Sequence, residues 1–478
     1  MWRSCLIVVL LVFGFGHSAQ SLRYVFGNLH AHTGFSDGCK DSLSTGITSP
    51  AGAYAYAKHS QHIDFLGISE HNHFSTQNNP GFLRPFYQRG LQMADSANEN
   101  GTFLALFGME YGVSSNYNGH VLVYGIPQLL GWENSVPGLS GANYDVFNAR
   151  SDYDGLFKRV ARTPGAFAFL AHPGFSDFSS TGETATALAF GPYQASYDSA
   201  IVGMPLRSGL AFSTADNYED YPQSHYFNYY KRLLYQGYHL GIGYDHDNHY
   251  SNFGRSNGGR MAVICEGLNR TSFQQAIQNM HFYGSDDSNA QIQFNLDNAM
   301  MGSIVDGSVF PTFYIQHNDP DGEQVDTIKI WKGHANSGGL WADIVYTALQ
   351  TNTAAFTDTD VQTGIEYYYF AEIKQKDGQW IVTSPIWFTG KAPLELPQHQ
   401  ARELVMVFPN PVGRQLQLHS GSMGVMEIQI RNQEGVVLLK QKVNGPHYTL
   451  DVSELKKGLY VMELSTEYGT QFQKLVKE

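Results

Sequence analysis

Between residues 22 and 288, short apolar runs recur along the chain, and each ends in polar or ligand-type residues. Three such runs are YVFGNLHAH, DFLGISEH and FLALFGMEY, and helix-compatible segments such as AGAYAYAKHSQ lie between several of them. Alternating strands and helices favour an α/β domain with a parallel sheet. Ligand-type side chains at the ends of successive strands are typical of a β/α barrel. The pattern therefore predicts a barrel-like α/β domain over residues 22–288.

The pattern changes after residue 288. Residues 289–390 contain alternating apolar and polar segments, such as DTIKIWKG and YYYFAEIKQ, which are separated by turn-forming residues. This alternation predicts an all-β sandwich of about 100 residues. Residues 391–403 form a predicted linker, and residues 404–478 a second small all-β module.

The first residues have the pattern of an export signal. An apolar run over residues 6–15 follows Arg3 and precedes the small residues Ser18 and Ala19. This order is typical of a signal peptide, which we place at residues 1–19. The apolar run is shorter than a bilayer requires, and no later stretch reaches 18 apolar residues. We therefore expect an exported protein with no transmembrane segment after cleavage.

Charge and cysteine content narrow the possibilities further. The 478-residue chain has a formal net charge of −13, whereas a general nucleic-acid binder needs a basic surface, so we expect no nucleic-acid partner. After signal cleavage the cysteines are Cys39 and Cys265. Export permits a disulfide between them, and two buried free thiols are the alternative. We expect the two residues to lie close together.

The 19 histidines include a metal-binding pattern at the end of the first apolar run. His30 and His32 lie in the stretch GNLHAHTGFSDG, and Asp37 follows on the adjoining loop. Side chains two apart on a strand share one face, so these two imidazoles can bind one metal ion.

Further ligand-type residues occupy the ends of other predicted strands. They are Glu70 and His71, Glu110, His120, His172, and the cluster Asp245, His246, Asp247 and His249, with His73 as a less favoured candidate. The order H-x-H-T, S-D-G, E-H, E, H, A-H-P and D-N-H resembles the polymerase and histidinol phosphatase (PHP) family of metallohydrolases. The resemblance covers residues 22–288 and is greatest to the carbaryl-hydrolase-like branch.

This resemblance implies a distorted seven-stranded β/α barrel that binds two or three Zn, Mn or Fe ions. It also implies a division of the ligands among the ions: His30, His32 and Asp247 for a first ion, Glu110 as a bridge to a second ion held by His120 and His172, and Asp37, His71 and His249 for a third.

Two features depart from the family pattern. Glu70 stands where the family usually has Asp, and we expect the longer carboxylate to change how His71 is oriented. The last motif contains two overlapping candidates. Asp247 and His249 have the family's D-x-H spacing, so Asp245 and His246 are less favoured as ligands.

These residue types suit hydrolysis by metal-activated water, most simply of a phosphate ester. Glu110, Asp247 and Arg260 are the predicted catalytic residues. Arg260 is included because a basic side chain would stabilise charge on the phosphate oxygens. Arg255 is a second basic candidate, and a structural role is the alternative for both arginines. The alternative functions are a carboxylic-ester or carbamate hydrolase and a non-catalytic metal-binding surface protein. The G-x-S-x-G, Walker A and H-E-x-x-H motifs do not occur.

The C-terminal module has its own resemblance. The stretch VFPNPV at 407–412 and the later GLYVMELSTEYG resemble the C-terminal sorting domain of the Bacteroidetes type IX secretion system. This implies passage through the periplasm to the medium or cell surface, with the secretion machinery as a partner. An ordinary β-sandwich binding domain is the alternative. Residues 289–390 resemble immunoglobulin-like or fibronectin-like folds, which favours a spacer or packing role over sugar stacking by Trp331, Trp341 or Trp380.

Overall fold

The computed structural model divides the chain into two compact units, Met1–Ala392 and Pro393–Glu478. The residues described are 22–74, 81–113, 118–174, 177–178, 193–209, 211–212, 224–253, 258–307, 310–391, 405–420, 425–433, 435–466 and 469–478. The predicted signal peptide, most of the predicted linker and Arg255 lie outside these residues.

The first unit combines helices with a long mixed sheet. Its helices are α1 (Ser42–Thr45), α2 (Pro50–His59), α3 (Arg84–Ala97), α4 (Tyr153–Arg162), α5 (Ala195–Asp198), α6 (Ser224–Tyr235) and α7 (Arg270–Gln278). Its strands up to residue 285 are β1 (Arg23–Asn28), β2 (Phe65–His71), β3 (Leu104–Tyr111), β4 (His120–Tyr124), β5 (Leu130–Gly131), β6 (Val146–Phe147), β7 (Phe167–Ala171), β8 (Ile201–Pro205), β9 (Gly241–Gly243), β10 (Arg260–Cys265) and β11 (Phe282–Ser285). The later strands of this unit are β12 (Gln291–Leu296), β13 (Ala299–Met300), β14 (Ile304–Gly307), β15 (Thr312–Asn318), β16 (Val325–His334), β17 (Asp343–Leu349), β18 (Thr353–Thr357), β19 (Glu366–Gln375), β20 (Trp380–Thr383) and β21 (Ile386–Gly390).

The long sheet runs in the order β14-β21-β19-β20-β11-β10-β1-β2-β3-β4-β7-β8-β9. β1, β2 and β3 are parallel neighbours, as are β7, β8 and β9, whereas β4 and β10 run antiparallel to the strands beside them. The sheet is therefore mixed rather than wholly parallel. For β4 the reason is the short connection 112–119, because a parallel crossover needs a dozen or more residues.

The sheet curls so that β9 returns to β11. A Cβ atom at Gly284 would lie 2.3 Å from the carbonyl oxygen of Gly243, so glycine is what allows the two strands to approach this closely. The Ser384 hydroxyl accepts a hydrogen bond from the Ile242 amide (3.3 Å) and donates one to the Phe282 carbonyl (2.6 Å). The predicted seven-stranded barrel stays a prediction, but the curl brings several strand ends to one rim.

The same sheet continues into residues 289–390. β20 pairs with β11 through Tyr283 and Thr383, which joins the two regions by backbone hydrogen bonds. A second sheet, in the order β13-β12-β15-β18, supplies Phe294 and Phe313 to an apolar core shared with Ile328. Residues 289–390 therefore contribute a sandwich, one sheet of which is the extension of the first.

The tryptophans of this region are largely covered. Trp380 is buried, and the indole nitrogens of Trp331 and Trp380 donate to the two oxygens of Glu372 at 2.8 and 3.1 Å. The rings of both also pack edge-on against Phe227 of α6. This arrangement suits packing against the preceding helix rather than sugar stacking by Trp380.

Cys39 and Cys265 are buried free thiols, which is one of the two alternatives that the sequence left open, but they do not lie close together as expected. Cys265 pairs with Arg23 at the start of β1, whereas Cys39 lies in the loop beyond the other end of that strand. At about 3.3 Å per residue, β1 alone separates its ends by roughly 16 Å, which is too far for a disulfide.

The second unit is entirely β in its described residues. Its strands are β22 (Met406–Phe408), β23 (Gln415–His419), β24 (Val425–Arg431), β25 (Val437–Asn444), β26 (His447–Asp451), β27 (Gly458–Thr466) and β28 (Gly469–Lys477). They form the sheets β22-β23-β26 and β25-β24-β27-β28, with Leu416, Ile428 and Met462 in a common apolar core. Across the described residues of both units, no helix has the length and apolarity needed to cross a membrane.

Candidate metal centre

The ends of the curled sheet's strands bring all nine predicted ligands to one place. β1, β2, β3, β7 and β9 run in the same direction, so the residues at or after their carboxyl ends meet at one rim. β4 runs the other way and contributes its first residue, His120. A backbone bridge between Ala31 and Asn248 holds the H-x-H segment against the segment that carries Asp247.

Glu110 lies at the centre of the group and is 1% exposed. On β3 it stands directly beside His71 of β2. Five imidazole nitrogens surround its carboxylate: Oε1 lies 2.7 Å from His120 Nδ1, 3.1 Å from His172 Nε2 and 3.2 Å from His30 Nε2, and Oε2 lies 3.0 Å from His71 Nδ1 and 3.2 Å from His32 Nε2. A carboxylate in this position can share its two oxygens between neighbouring cations.

Two aspartates complete the group on either side. Asp247 Oδ1 lies 3.2 Å from His30 Nε2 and 3.3 Å from His32 Nε2. Asp37 Oδ1 lies 3.1 Å from His249 Nε2 and 3.5 Å from His71 Nε2. The residues whose ligand atoms lie within 4.8 Å of one another form four overlapping sets: His32, Asp37, His71 and His249; His30, His172 and Asp247; His30, His32 and Glu110; His71, Glu110 and His120.

These sets differ in detail from the division that the family resemblance implies. His172 groups with His30 and Asp247, although its Nε2 is also 3.4 Å from His120 Nδ1. His71 belongs both to the Asp37 set and to the set of Glu110 and His120. Because the four sets have residues in common, the side chains form one continuous cluster.

Several oxygen and nitrogen atoms of the cluster lack hydrogen-bond partners and are suited to binding metal ions. Asp37 Oδ1, His71 Nδ1, Glu110 Oε2 and Asp247 Oδ1 are buried and have no hydrogen-bond partner. Buried polar atoms are nearly always satisfied, so an unpaired set that converges on one region needs an explanation. Imidazole and carboxylate donors suit Zn, Mn or Fe, and shared carboxylates suit more than one ion.

Asp245 and His246, the less favoured candidates, lie outside these ligand sets. Asp245 Oδ2 is 2.8 Å from His30 Nδ1, an arrangement that leaves His30 Nε2 facing Glu110. Histidine ligands commonly have such a carboxylate behind them. The ring of His246 lies with its Nε2 2.8 Å from the Gly259 carbonyl oxygen. The backbone φ of Asp247 is 48°, a sparsely populated region for a residue other than glycine.

Glu70 forms its hydrogen bonds with the loop after the H-x-H motif, and its expected effect on the orientation of His71 stays a prediction. Its Oε1 accepts a hydrogen bond from the Thr33 amide at 3.0 Å, and its two oxygens also accept from the hydroxyls of Thr33 and Ser36. The Ser36 hydroxyl lies 3.4 Å from His32 Nδ1. The longer side chain of Glu70 therefore fixes the loop after the H-x-H motif and, through Ser36, the ring of His32.

Among the described residues, the structure adds one basic side chain to those that the sequence singled out. Arg260 begins β10, is buried, and donates Nη1 to the Gly259 carbonyl at 2.7 Å. Its catalytic role stays a prediction. Lys40 was not among the predicted site residues, and its ammonium lies 3.9 Å from Asp37 Oδ2 and 5.0 Å from the centre of the Phe212 ring. Its side chain is 35% exposed, so it stands where a substrate could meet it.

Charge within the cluster is balanced between carboxylates and imidazoles. Burial alone would raise the pKa of Glu110, but His120, His30 and His71 together hold that pKa well below its usual value. Burial alone would lower the pKa of His32, but the adjacent carboxylates of Asp247 and Glu110 raise it to about 10. His73 lacks such a carboxylate partner: burial, with the nearby charges of His71 and His120, lowers its pKa to about 3.

The pKa of His172 is raised to about 9 despite its burial, chiefly by its hydrogen bond to Glu110 and by the charge of Asp247. The raised values mean that protons occupy this imidazole and that of His32 when no cation is bound. Metal ions would have to displace these protons, because a ligating imidazole must be neutral.

Comparison with known proteins bears mainly on the second unit. No curated protein sequence matches the chain. Among solved structures, the chain is similar to chicken CNTN1 FN1-FN3 domains at 13% identity, covering 37% of this chain and 63% of that one, with a TM-score of 0.18. The chain thus spans less than two thirds of that structure, and a TM-score of this size does not establish a common fold.

The family model that matches describes a secretion system C-terminal sorting domain and covers residues 406–478. This range coincides with the second unit's described strands, β22 to β28. The family match confirms the predicted export to the cell surface or the extracellular space. Residues 406–478 are therefore a C-terminal sorting domain of the type IX secretion system.

Proposed function

We propose that this protein is a secreted metal-dependent hydrolase that cleaves an ester, with a phosphate ester as the preferred substrate class. One observation carries the proposal: six histidine and two aspartate side chains converge around the buried carboxylate of Glu110. Burying this many ionisable groups together is costly unless cations compensate them, so the cluster is better explained as a site than as packing.

The predicted cofactors are two or three divalent Zn, Mn or Fe ions, held by the nine residues. When bound, such ions activate a water molecule and stabilise charge on the attacked centre. The chain's own contribution is positional. Asp245 fixes the tautomer of His30, and Glu70 with Ser36 fixes the loop that carries His32 and Asp37.

Lys40 supports an anionic substrate. Its ammonium lies 3.9 Å from Asp37 Oδ2, and its side chain is 35% exposed at the edge of the cluster. Phe212 lies between it and His249, with its ring centre 4.5 Å from that of His249. A flexible ammonium in this position can pair with a phosphate oxygen while the ester bond faces the ligands. The sorting domain supports the view that the proposed activity acts outside the cytoplasm.

The test is metal content combined with a substrate panel. Protein purified without chelators, from cells supplied with Zn, Mn and Fe, should contain at least two transition-metal ions per chain by elemental analysis. It should release product from phosphate monoesters or diesters, and dialysis against a chelator should abolish that activity. Less than one ion per chain contradicts the multinuclear site. Full metal content with turnover only of carboxylic esters or carbamates assigns the site to that reaction, and no turnover at all favours a metal-binding surface protein.

A further inference from the structure

A second acidic cluster lies where the curled sheet meets the sandwich. Asp287 follows β11, whereas Asp319 and Glu323 lie in the turn between β15 and β16. Carboxylate oxygens of all three lie within 4.8 Å of one another. None of the three belongs to the ligand sets around Glu110.

Backbone amides orient the two aspartates of this cluster. Asp319 Oδ1 accepts hydrogen bonds from the amides of Asp321 at 2.7 Å and Gly322 at 3.1 Å. Asp287 Oδ1 is held in the same way by the amides of Asn289 and Ala290, at 2.6 and 2.7 Å. The Oδ2 atoms of both aspartates are left facing the side chain of Gln375.

Gln375 is 1% exposed and points its amide into the cluster. Its Nε2 lies 2.9 Å from Asp319 Oδ2, 3.4 Å from Asp287 Oδ2, 3.4 Å from Glu323 Oε2 and 3.2 Å from His317 Nε2. An amide nitrogen has two hydrogens and cannot satisfy four acceptors. Its own oxygen, Oε1, is buried without a hydrogen-bond partner.

The oxygen and nitrogen atoms of a glutamine amide are distinguished by their hydrogen-bond partners. For Gln375, neither orientation of the amide satisfies all the neighbouring polar atoms. Rotation of the amide by 180° would point Oε1 at the three carboxylates. Four oxygen atoms would then converge on one point, which is unfavourable unless a cation occupies it.

The charges lead to the same conclusion. Among the described residues, no lysine, arginine or histidine nitrogen lies within 4.0 Å of a carboxylate oxygen of Asp287, Asp319 or Glu323 in an ion pair. Asp287 is 3% exposed, so solvent does little to screen its charge. His317 is also buried, and its Nδ1 has no hydrogen-bond partner. Three neighbouring carboxylates without a cation are an incomplete arrangement.

We propose that Asp287, Asp319, Glu323 and the amide oxygen of Gln375 bind one Ca²⁺ ion. The ligands are all oxygen atoms, which hard cations prefer. Ca²⁺ accepts six to eight ligands in irregular geometry, so water can complete the shell, whereas Mg²⁺ requires a near-ideal octahedron. The ion would tie the turn between β15 and β16 to the end of β11. At that end of β11, Arg207 Nη2 already donates a hydrogen bond to Asp286 Oδ2 at 2.7 Å.

The experiment uses the full secreted chain with its transition-metal content measured beforehand, so that the two kinds of site are distinguished. Ca²⁺ is titrated into protein in calcium-free buffer, and binding is followed by calorimetry and by the melting temperature. We expect one Ca²⁺ per chain with a Kd of about 10⁻⁴ to 10⁻³ M, the range of extracellular calcium modules. The melting temperature should rise with Ca²⁺.

Two variants and a control make the site specific. Asp319→Asn combined with Glu323→Gln should weaken Ca²⁺ binding at least about tenfold, and remove the rise in melting temperature, with no loss of the transition metals. Glu323→Gln alone serves if the double variant does not fold. Asp326→Asn, an exposed acid outside the cluster, is the matched control and should bind Ca²⁺ as the wild type does.

The proposal is overturned if the wild type takes up no Ca²⁺ at about 10 mM, well above the expected Kd. It is also overturned if the folded double variant binds Ca²⁺ as tightly as the wild type. Mg²⁺ binding of equal affinity at the same residues would overturn the assignment to Ca²⁺.

Discussion

Replacing Glu110 with glutamine tests the candidate centre most directly, because five imidazole nitrogens lie within 3.2 Å of its carboxylate. The substitution keeps the size of the side chain but removes its negative charge. Glu110 belongs to two of the ligand sets, so its loss affects two adjacent sites at once. We expect at least one transition-metal ion to be lost or weakly bound.

The expected loss of rate follows from this position. A misplaced catalytic group costs roughly 10²-fold, and each tenfold is about 1.4 kcal/mol, so the transition state should lose about 2.8 kcal/mol of stabilisation or more. The fold should survive, because Glu110 lies at the end of β3 among polar groups rather than within the apolar core.

The assay compares purified Glu110→Gln with wild type and with Glu266→Gln, an exposed glutamate just beyond β10. Circular dichroism reports the fold, elemental analysis the metal content, and hydrolysis of an established substrate the rate. Full metal occupancy together with wild-type activity in Glu110→Gln would refute the bridging role and require the ligands to be reassigned.

Three further predictions address the substrate, the protonation state and the route of export. Lys40→Met should raise KM for an anionic ester about tenfold, or about 1.4 kcal/mol, without changing the metal content. The control Lys58→Met should change neither KM nor metal content. An equal rise in KM for neutral esters would contradict a role for the charge of Lys40. In metal-free protein, the contribution of His32 and His172 to stability should be complete below about pH 6.5 and be lost as the pH rises towards 9–10, because their folded-state pKa values are raised to about 10 and about 9. Melting curves of the metal-loaded protein should lack this decline. Deleting residues 404–478 should leave an active enzyme in the periplasm, and cell fractionation that finds it in the medium would be inconsistent with this.

The sequence was informative about the candidate centre because its ligands follow strands. Side chains at alternate positions share a face, and parallel strands end at one rim, so His30, His32 and Glu110 could be grouped without coordinates. The structure brings these residues together with the other six predicted ligands. The sorting domain was likewise identifiable, since its P-N-P start and final strands are local patterns.

What the sequence did not predict depends on contacts between distant segments. Asp245 contacts Nδ1 of His30, and Glu70 accepts a hydrogen bond from Ser36. Neither contact can be predicted from the spacing of the residues in the sequence. The separation of Cys39 from Cys265 follows from the direction of β1 and β10, which composition does not encode. Gln375 and Asp287 meet only because β19 and β11 lie on either side of β20.

The pairing of β20 with β11 has a consequence for how this protein can be divided. Phe370, Val382 and Trp387 from the sandwich belong to the same apolar core as Phe282 and its neighbours in the curled sheet. A fragment that stopped at residue 288 would expose an unpaired strand edge and an uncovered apolar face, both of which promote aggregation. The smallest unit suitable for expression, domain fusion or transfer to another secretion signal is therefore residues 22–390, and residues 22–288 should not be separated from the sandwich.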